Sequence, residues 1–384
     1  MKKVAIIGSG EFQLPLIILA KRQNIETHVF SWGGNEFVGD YFYEISITEK
    51  DAILEKCKLI GIDGICSIGS DLANITVNYV ASKLGLVSNS LECIEYTTNK
   101  YKMREHLAKQ GIPIPRYAYL NSIDIVSAPV YPVIVKPVDR SGSRGITLVR
   151  TSAYLDSAIN LAFEESFSNE ILIEEFVTGR EFSVESISFN GVHEILQITE
   201  KFTTGAPDFI EMGHTCPARI NDDERELITD LVLKTLEAVN IIYGAAHTEL
   251  KINESGNAFV IEIGSRMGGD YIGSDLVLYS TGFDFTKAVL AISMQEKFCL
   301  QDFYSESILP KVSIVKFIFN EDDLNKCREL FDNKFINVVH SSFSGCSFEN
   351  EIKIVSSADR LGHVMLTTSF DKQDEILQAL GFNK

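Results

Sequence analysis

The chain has 384 residues, 45% of them hydrophobic and 23% charged, with a formal net charge of −18. That length allows two or three domains of ordinary size, and that composition excludes a disordered chain. The charge argues against a general nucleic-acid binder, and it requires any site for a phosphate-bearing ligand to make its own local positive field.

In chain order, KKVAIIG reads as a strand, EFQLPLIILAKRQN as a helix with Pro15 in its first turns, and ETHVFSW as a second strand. Glu11 and Gln13 interrupt the early apolar run, and no small-residue cleavage site follows, so a signal peptide is not expected. DAILEKCKLIG is a helix, DGICSIG a strand ending at Gly69-Ser70-Asp71, and NITVNYVASKLG a helix closed by Gly85. This βαβ order predicts a parallel sheet covered by helices, with the ligand side beyond the strand ends. The turn Gly8-Ser9-Gly10 falls short of a dinucleotide fingerprint, because Gln13 stands where the third glycine belongs.

NKYKMREHLAKQG is a helix with a glycine stop, and IPIPRY is extended. From 131 the pattern turns strand-rich: YPVIVKPV, a glycine-serine turn, ITLVR, a helix over SAYLDSAINLAFEES, then ILIEEFVTGREFSVESISF. A helix at about 221–240 precedes GAAHTELKI, the turn NESGN and AFVIEIG. A small α/β stretch ends with DRLGHVMLTTS and a short helix. No apolar run reaches eighteen residues, so no membrane span is expected. The seven cysteines form no CxxC pair, which argues against zinc and for a reducing, cytoplasmic compartment.

Several charged residues sit where apolar strands have no packing use for them. Lys136 lies between Val135 and Pro137, four residues before a loop with Ser141, Gly142, Ser143 and Gly145. Such loops bring backbone N–H groups to phosphate oxygens, and a lysine beside them adds a point charge. An ordinary hairpin with an exposed lysine has the same composition. In IEEFVTGREFSV, Phe176 and Val177 can form an apolar slot for a nucleobase, and Glu181 can accept hydrogen bonds from a ribose. A solvated loop with incidental acids is the alternative.

GAAHTELKINESGNAFVIEIGSR is a hairpin in which Glu249 and Glu262 fall almost opposite each other. Two facing carboxylates repel unless a cation bridges them, and oxygen ligands suit Mg²⁺ or Mn²⁺. A plain five-residue turn, however, pairs Glu249 with Ile261 and turns Glu262 away, so one bulge is required, with Gly256 a candidate for it. Arg266 follows, where a guanidinium suits charge stabilisation in phosphoryl transfer, and Gly268 and Gly269 allow close backbone approach to a ligand. A salt bridge from Arg266 to Asp270 or Asp275 is the structural alternative.

In this order the pieces resemble the ATP-grasp superfamily over about residues 1–300, and the tail DRLGHV fits some members. The resemblance implies an N-terminal parallel-sheet α/β domain (1–95), an ATP-grasp domain with a lid and a large antiparallel sheet (96–300, lid about 131–182), and a C-terminal α/β segment (301–384) completing the fold. It implies ATP and Mg²⁺ or Mn²⁺ as cofactors. Lys100 and Lys136 would hold phosphates. Glu174, Phe176, Val177 and Glu181 would hold adenine and ribose, and Glu249 and Glu262 the metal. Arg266 would be catalytic with Lys136. Many members carry Asn two residues after the second acid; Gly264 and Ser265 stand here, so a second ion would be held by water or Ser265. Within the superfamily the likeness is to L-amino-acid ligases that make dipeptides, in which a glutamate and a histidine three residues apart contact the amino acid. Glu211 and His214 match, beside Arg266, Gly268 and Gly269. The implied activity joins a small carboxylate to an amine through an acyl phosphate, with neither nucleic acid nor membrane as partner. Related enzymes are often homodimers. A bicarbonate-activating enzyme and a non-catalytic ATP-binding protein remain as alternatives.

Overall fold

The structure, a computed structural model, describes residues 1–33, 39–122, 130–140, 144–343 and 356–382. Four short strands, β1 (Lys3–Ile7), β2 (Glu26–Ser31), β3 (Tyr41–Glu44) and β4 (Gly64–Cys66), form a parallel sheet in the order β3-β2-β1-β4. The edge strand β3 is absent from the sequence reading, because YFYE is only half buried and shows no clean alternation. The helix Asp71–Leu84 starts at Ser70, whose hydroxyl accepts from the Ala73 N–H, and stops at Gly85 with φ of 69°. Its first residue, Asp71, therefore lies at the strand-end side of this sheet.

A second, four-stranded antiparallel sheet contains β5 (Tyr117–Leu120), β6 (Val133–Pro137), β7 (Thr147–Val149) and β8 (Ile171–Glu175), in the order β5-β8-β6-β7. The helix Leu155–Glu165 covers it, packing Leu155, Ala158, Ile159 and Ala162 against Val133, Val135, Val149 and Ile173. This unit starts at Tyr117, earlier than the pattern change at 131, because β5 pairs with β8 through Tyr117 and Glu174.

The remaining strands make one eight-stranded antiparallel sheet, β13-β12-β9-β10-β11-β14-β16-β15. They are β9 (Arg180–Phe189), β10 (Val192–Thr203), β11 (Glu211–Cys216), β12 (Gly244–Ile252), β13 (Ala258–Gly264), β14 (Val312–Ile318), β15 (Ile336–Ser342) and β16 (Gly362–Thr368). The residues after 301 thus supply three strands to the sheet that carries the hairpin acids. The helix Asp222–Ala238, opened by an Asn221–Glu224 capping box, covers one face. Among the described residues, no helix is long and apolar enough to cross a membrane.

The four-stranded and eight-stranded sheets meet at Phe176–Gly179. Gly179 has φ of 106°, and a Cβ there would drive into the carbonyl oxygen of Ile252. A backbone atom cannot swing aside as a side-chain tip can. Gly179→Ala is therefore expected to lower stability by about 1–3 kcal/mol, read as a lower denaturation midpoint with an unchanged slope.

Candidate functional site

The β12–β13 hairpin sets the site. From its turn the register runs Ile252–Ala258, Lys251–Phe259 and Leu250–Val260, then slips so that Glu249 faces Glu262. The extra residue is Ile261. Gly256, nominated by the sequence for this role, instead serves the turn itself, with φ of 79°. The bulge leaves a carbonyl unspent in the ladder, and Arg104 takes it, donating from Nη2 to the Ile261 oxygen at 2.7 Å. The slip puts both carboxylates on one face of the sheet. An all-carboxylate donor pair on neighbouring strands fits a hard divalent ion.

Arg104 has no exposed surface. Its Nε also reaches Glu174 Oε1 at 2.7 Å and its Nη2 reaches Oε2 at 3.3 Å, and Lys136 Nζ meets the same Oε2 at 2.7 Å. Glu174 is only 3% exposed and both its oxygens are taken, so it holds Lys136 in place and does not face an open nucleotide slot. Burial alone would raise its pKa. Arg104, then Lys136, outweigh that and hold it at about 2. Lys136 itself is lowered by burial, with Arg104 and Lys100 acting in the same direction against Glu174. Lys100 opens the helix Lys100–Lys109, and Nζ donates to Glu262 at 2.9 Å and to the Arg140 carbonyl at 2.7 Å. Lys100 and Arg104 are one helical turn apart on the same face, a spacing visible in KYKMR and not used in the sequence reading. Ser141, Gly142 and Ser143 lie outside the described residues.

Lys201, also absent from the sequence reading, sits at the centre of the eight-stranded sheet with its side chain 3% exposed. Nζ lies 2.7 Å from Glu249, 2.8 Å from Glu211 and 3.4 Å from Glu181. Burial works against its charge, but Glu211, Glu249 and Glu181 raise its pKa well above the ordinary lysine range. Like Lys136, it is a lysine inside an apolar strand, ILQITEKF, and that was the available signal. His247 Nδ1 donates to Glu185, and Nε2 lies 3.2 Å from Glu249. Burial opposes its charge, yet Glu185 and Glu249 lift it to about 9. Glu181 also meets Lys251 at 3.3 Å, whose Nζ lies 5.3 Å over the Phe176 ring. Phe176 is half buried and Val177 buried.

Glu211 and His214 are three apart, which on a plain strand means opposite faces. The β10–β11 register slips between Phe202–Gly213 and Thr203–Glu211, so Met212 is an extra residue and the two side chains share a face. With Asp270 they converge, with ligand atoms within 4.8 Å of one another. His214 is fully buried, neither ring nitrogen has a hydrogen-bond partner, and Nε2 is 3.7 Å from Asp270. Burial holds its pKa below the usual histidine value. Arg360, from the tail motif, grips Asp270 with two bonds of 2.7 Å and reaches Glu211 at 3.4 Å.

Three further expectations change. Arg266 pairs with neither Asp270 nor Asp275: its Nε and Nη2 donate to Asp71 of the parallel-sheet domain at 2.7 and 3.0 Å. Ser265 is spent on Asn74 and Thr97, each at 2.8 Å, which removes it as an ion ligand. Gly268 makes its close approach to protein. Its N–H donates to Glu185 at 2.8 Å, and a Cβ would stand 2.5 Å from the Glu185 carboxylate and 2.8 Å from His247. Gly269 leaves open space on its Cβ side, with the Gly69 carbonyl 4.0 Å away.

Comparison with known proteins bears on the domain and the fold. Residues 129–275 match the model of the ATP-grasp domain. An uncharacterised protein of Sinorhizobium fredii is 28% identical over 238 residues, covering 59% of this chain and 48% of that protein. The alanine–anticapsin ligase of Bacillus subtilis is 24% identical over 250 residues, covering 58% of this chain and 52% of that protein. The chain thus spans about half the length of these curated relatives. The crystal structure of an L-amino acid ligase from Bacillus licheniformis superposes with a TM-score of 0.84 at 21% identity, covering 99% of this chain and 97% of that one, which shows a shared fold.

The Glu174 pair of cations sets a pH dependence. Its folded pKa of about 2 lies below the ordinary 4.5, so its contribution to stability is complete above pH 4.5 and disappears as pH falls toward 2. Glu174→Gln leaves Arg104 and Lys136 buried without their counter-charge and is expected to cost about 3–5 kcal/mol. Denaturant melts across that pH range should show a smaller acid-induced loss in the variant than in the wild type.

Proposed function

Starting from the ATP-grasp domain carried by residues 129–275, we propose that this protein is an ATP-dependent ligase that joins a small carboxylate, an amino acid in the first instance, to an amine. The observation that carries the proposal is the bulge at Ile261, which sets Glu249 against Glu262 beside Lys100 and Lys201. An ordinary structural hairpin has no use for that arrangement.

In this reading Phe176 and Val177 line the adenine slot and Glu181 accepts from the ribose. Lys100, Lys136 and Lys201 face the phosphates, a positive cluster that answers the overall net charge of −18. Glu249 and Glu262 hold Mg²⁺ or Mn²⁺, which would neutralise phosphate charge when bound. A carboxylate oxygen of the first substrate attacks the γ-phosphorus, and ADP leaves. Lys136 and Arg266 stabilise the charge on the transferred group. The amine then attacks the acyl carbon and phosphate departs. Glu211 and His214 orient the amino acid, and Asp71 fixes the plane of the Arg266 guanidinium. The four-stranded sheet, which carries Lys136, closes over the nucleotide and keeps water from the acyl phosphate. The absence of any CxxC pair and, among the described residues, five buried free cysteines support a reducing, cytoplasmic setting.

Glu262 is 31% exposed, and without it the buried Lys100 keeps its bond to the Arg140 carbonyl, so the fold survives the loss at a lower melting temperature. Glu262→Ala is expected to abolish amino-acid-dependent ADP release in protein that circular dichroism shows to be folded at the assay temperature. ADP release at the wild-type rate across a screen of amino-acid pairs, with mass spectrometry of the product, would remove Glu262 from the chemistry.

A further inference from the structure

Lys201 touches three carboxylates that the proposed function gives to three different tasks: Glu249 to the divalent ion, Glu211 to the amino-acid substrate, Glu181 to the ribose. They come from three strands, β12, β11 and β9, and converge on one ammonium with three N–H donors. The Glu249 oxygen that meets Lys201 also meets His247 at 3.2 Å. A divalent ion approaching that oxygen therefore meets two side chains already in place, one of them the Lys201 ammonium. A substrate ammonium approaching Glu211 meets the same lysine.

Resting on the ligase reading, we infer that Lys201 is an interlock between the nucleotide, metal and amine subsites. In the free protein its ammonium occupies the place of the cations that the loaded site takes up. Metal and substrate ammonium bind fully only once Lys201 has turned away. The group that turns it is the terminal phosphate of the nucleotide, an anion that offers Nζ stronger acceptors on the same face of the sheet. Once Lys201 has left, Glu211 keeps a 3.4 Å contact with Arg360, whose two short bonds go to Asp270. The place beside Glu211 is then open to a substrate ammonium. Nucleotide binding thus precedes amine binding, and the order is built into one side chain. The plain alternative is that Lys201 only neutralises buried acids so that the sheet can fold.

The test uses Mn²⁺ alone, without nucleotide, with free ion followed by electron paramagnetic resonance. The wild type should bind weakly. Lys201→Met should bind on the order of tenfold more tightly, because the ion no longer competes with a cation in contact with Glu249. Adding Glu249→Gln to that variant should abolish the gain. Lys251→Met removes a neighbouring cation that meets Glu181 at 3.3 Å, and it should leave the affinity nearly unchanged. Should Lys201→Met bury too much unpaired charge to fold, the Lys201→Met/Glu211→Gln double variant carries one acid fewer and is read the same way. Unchanged Mn²⁺ affinity in the folded lysine variant, or an equal gain in Lys251→Met, overturns the interlock. A wild type that fails to bind Mn²⁺ with a non-hydrolysable ATP analogue counts against the ligase reading instead.

Discussion

One hydrogen bond sets the terms for everything else in this molecule: Arg104 to the carbonyl of Ile261. A single residue inserted into β13 rotates Glu262 from one face of the hairpin to the other, because side chains alternate with a period of two. The insertion leaves a backbone carbonyl without its ladder partner inside the protein, and such a group is costly unless paired. A buried guanidinium supplies that pairing. The same guanidinium grips Glu174, which in turn holds Lys136. The hairpin acids and Lys136 are therefore parts of one connected network, running from the helix Lys100–Lys109 into two sheets.

The second organising feature is electrostatic balance at close quarters. A chain with a net charge of −18 concentrates Lys100, Arg104, Lys136, Lys201 and Arg266 around one cleft. None of them is left as a bare buried charge. Each is matched to a carboxylate, and those pairings work against the cost of burial. The pairs also differ in kind. Arg104 with Glu174 is buried on both sides, whereas Lys100 with Glu262 and Lys201 with Glu249 each pair a buried lysine with a partly exposed carboxylate.

The parallel-sheet domain contributes more than a platform. Asp71, at the start of a helix, orients Arg266, and Asn74 one turn later binds Ser265 together with Thr97. The loop after β13 is thereby fixed from the first domain. The tail returns to the same place from the other side: Arg360 clamps Asp270, and β14 pairs with β11, the strand that bears Glu211 and His214. The geometry of the candidate site is assembled from segments far apart in the chain.

Much of this was legible in the sequence by itself, for a local reason. Alternation, helix stops and turn glycines are properties of a few neighbouring residues, so the order of elements, the hairpin, the suspect lysine at 136 and the two acids could all be read from it. The requirement for a bulge was legible too, since counting residues around the turn left Glu262 on the wrong face. Where the bulge fell was not, because that depends on which distant group can satisfy the freed carbonyl, and Arg104 is 157 positions away. The partner of Arg266, 195 positions back, the engagement of Ser265 and the three acids around Lys201 were decided in the same way by tertiary structure. Ion pairs between remote segments leave no period in a sequence; only folding brings their members within reach.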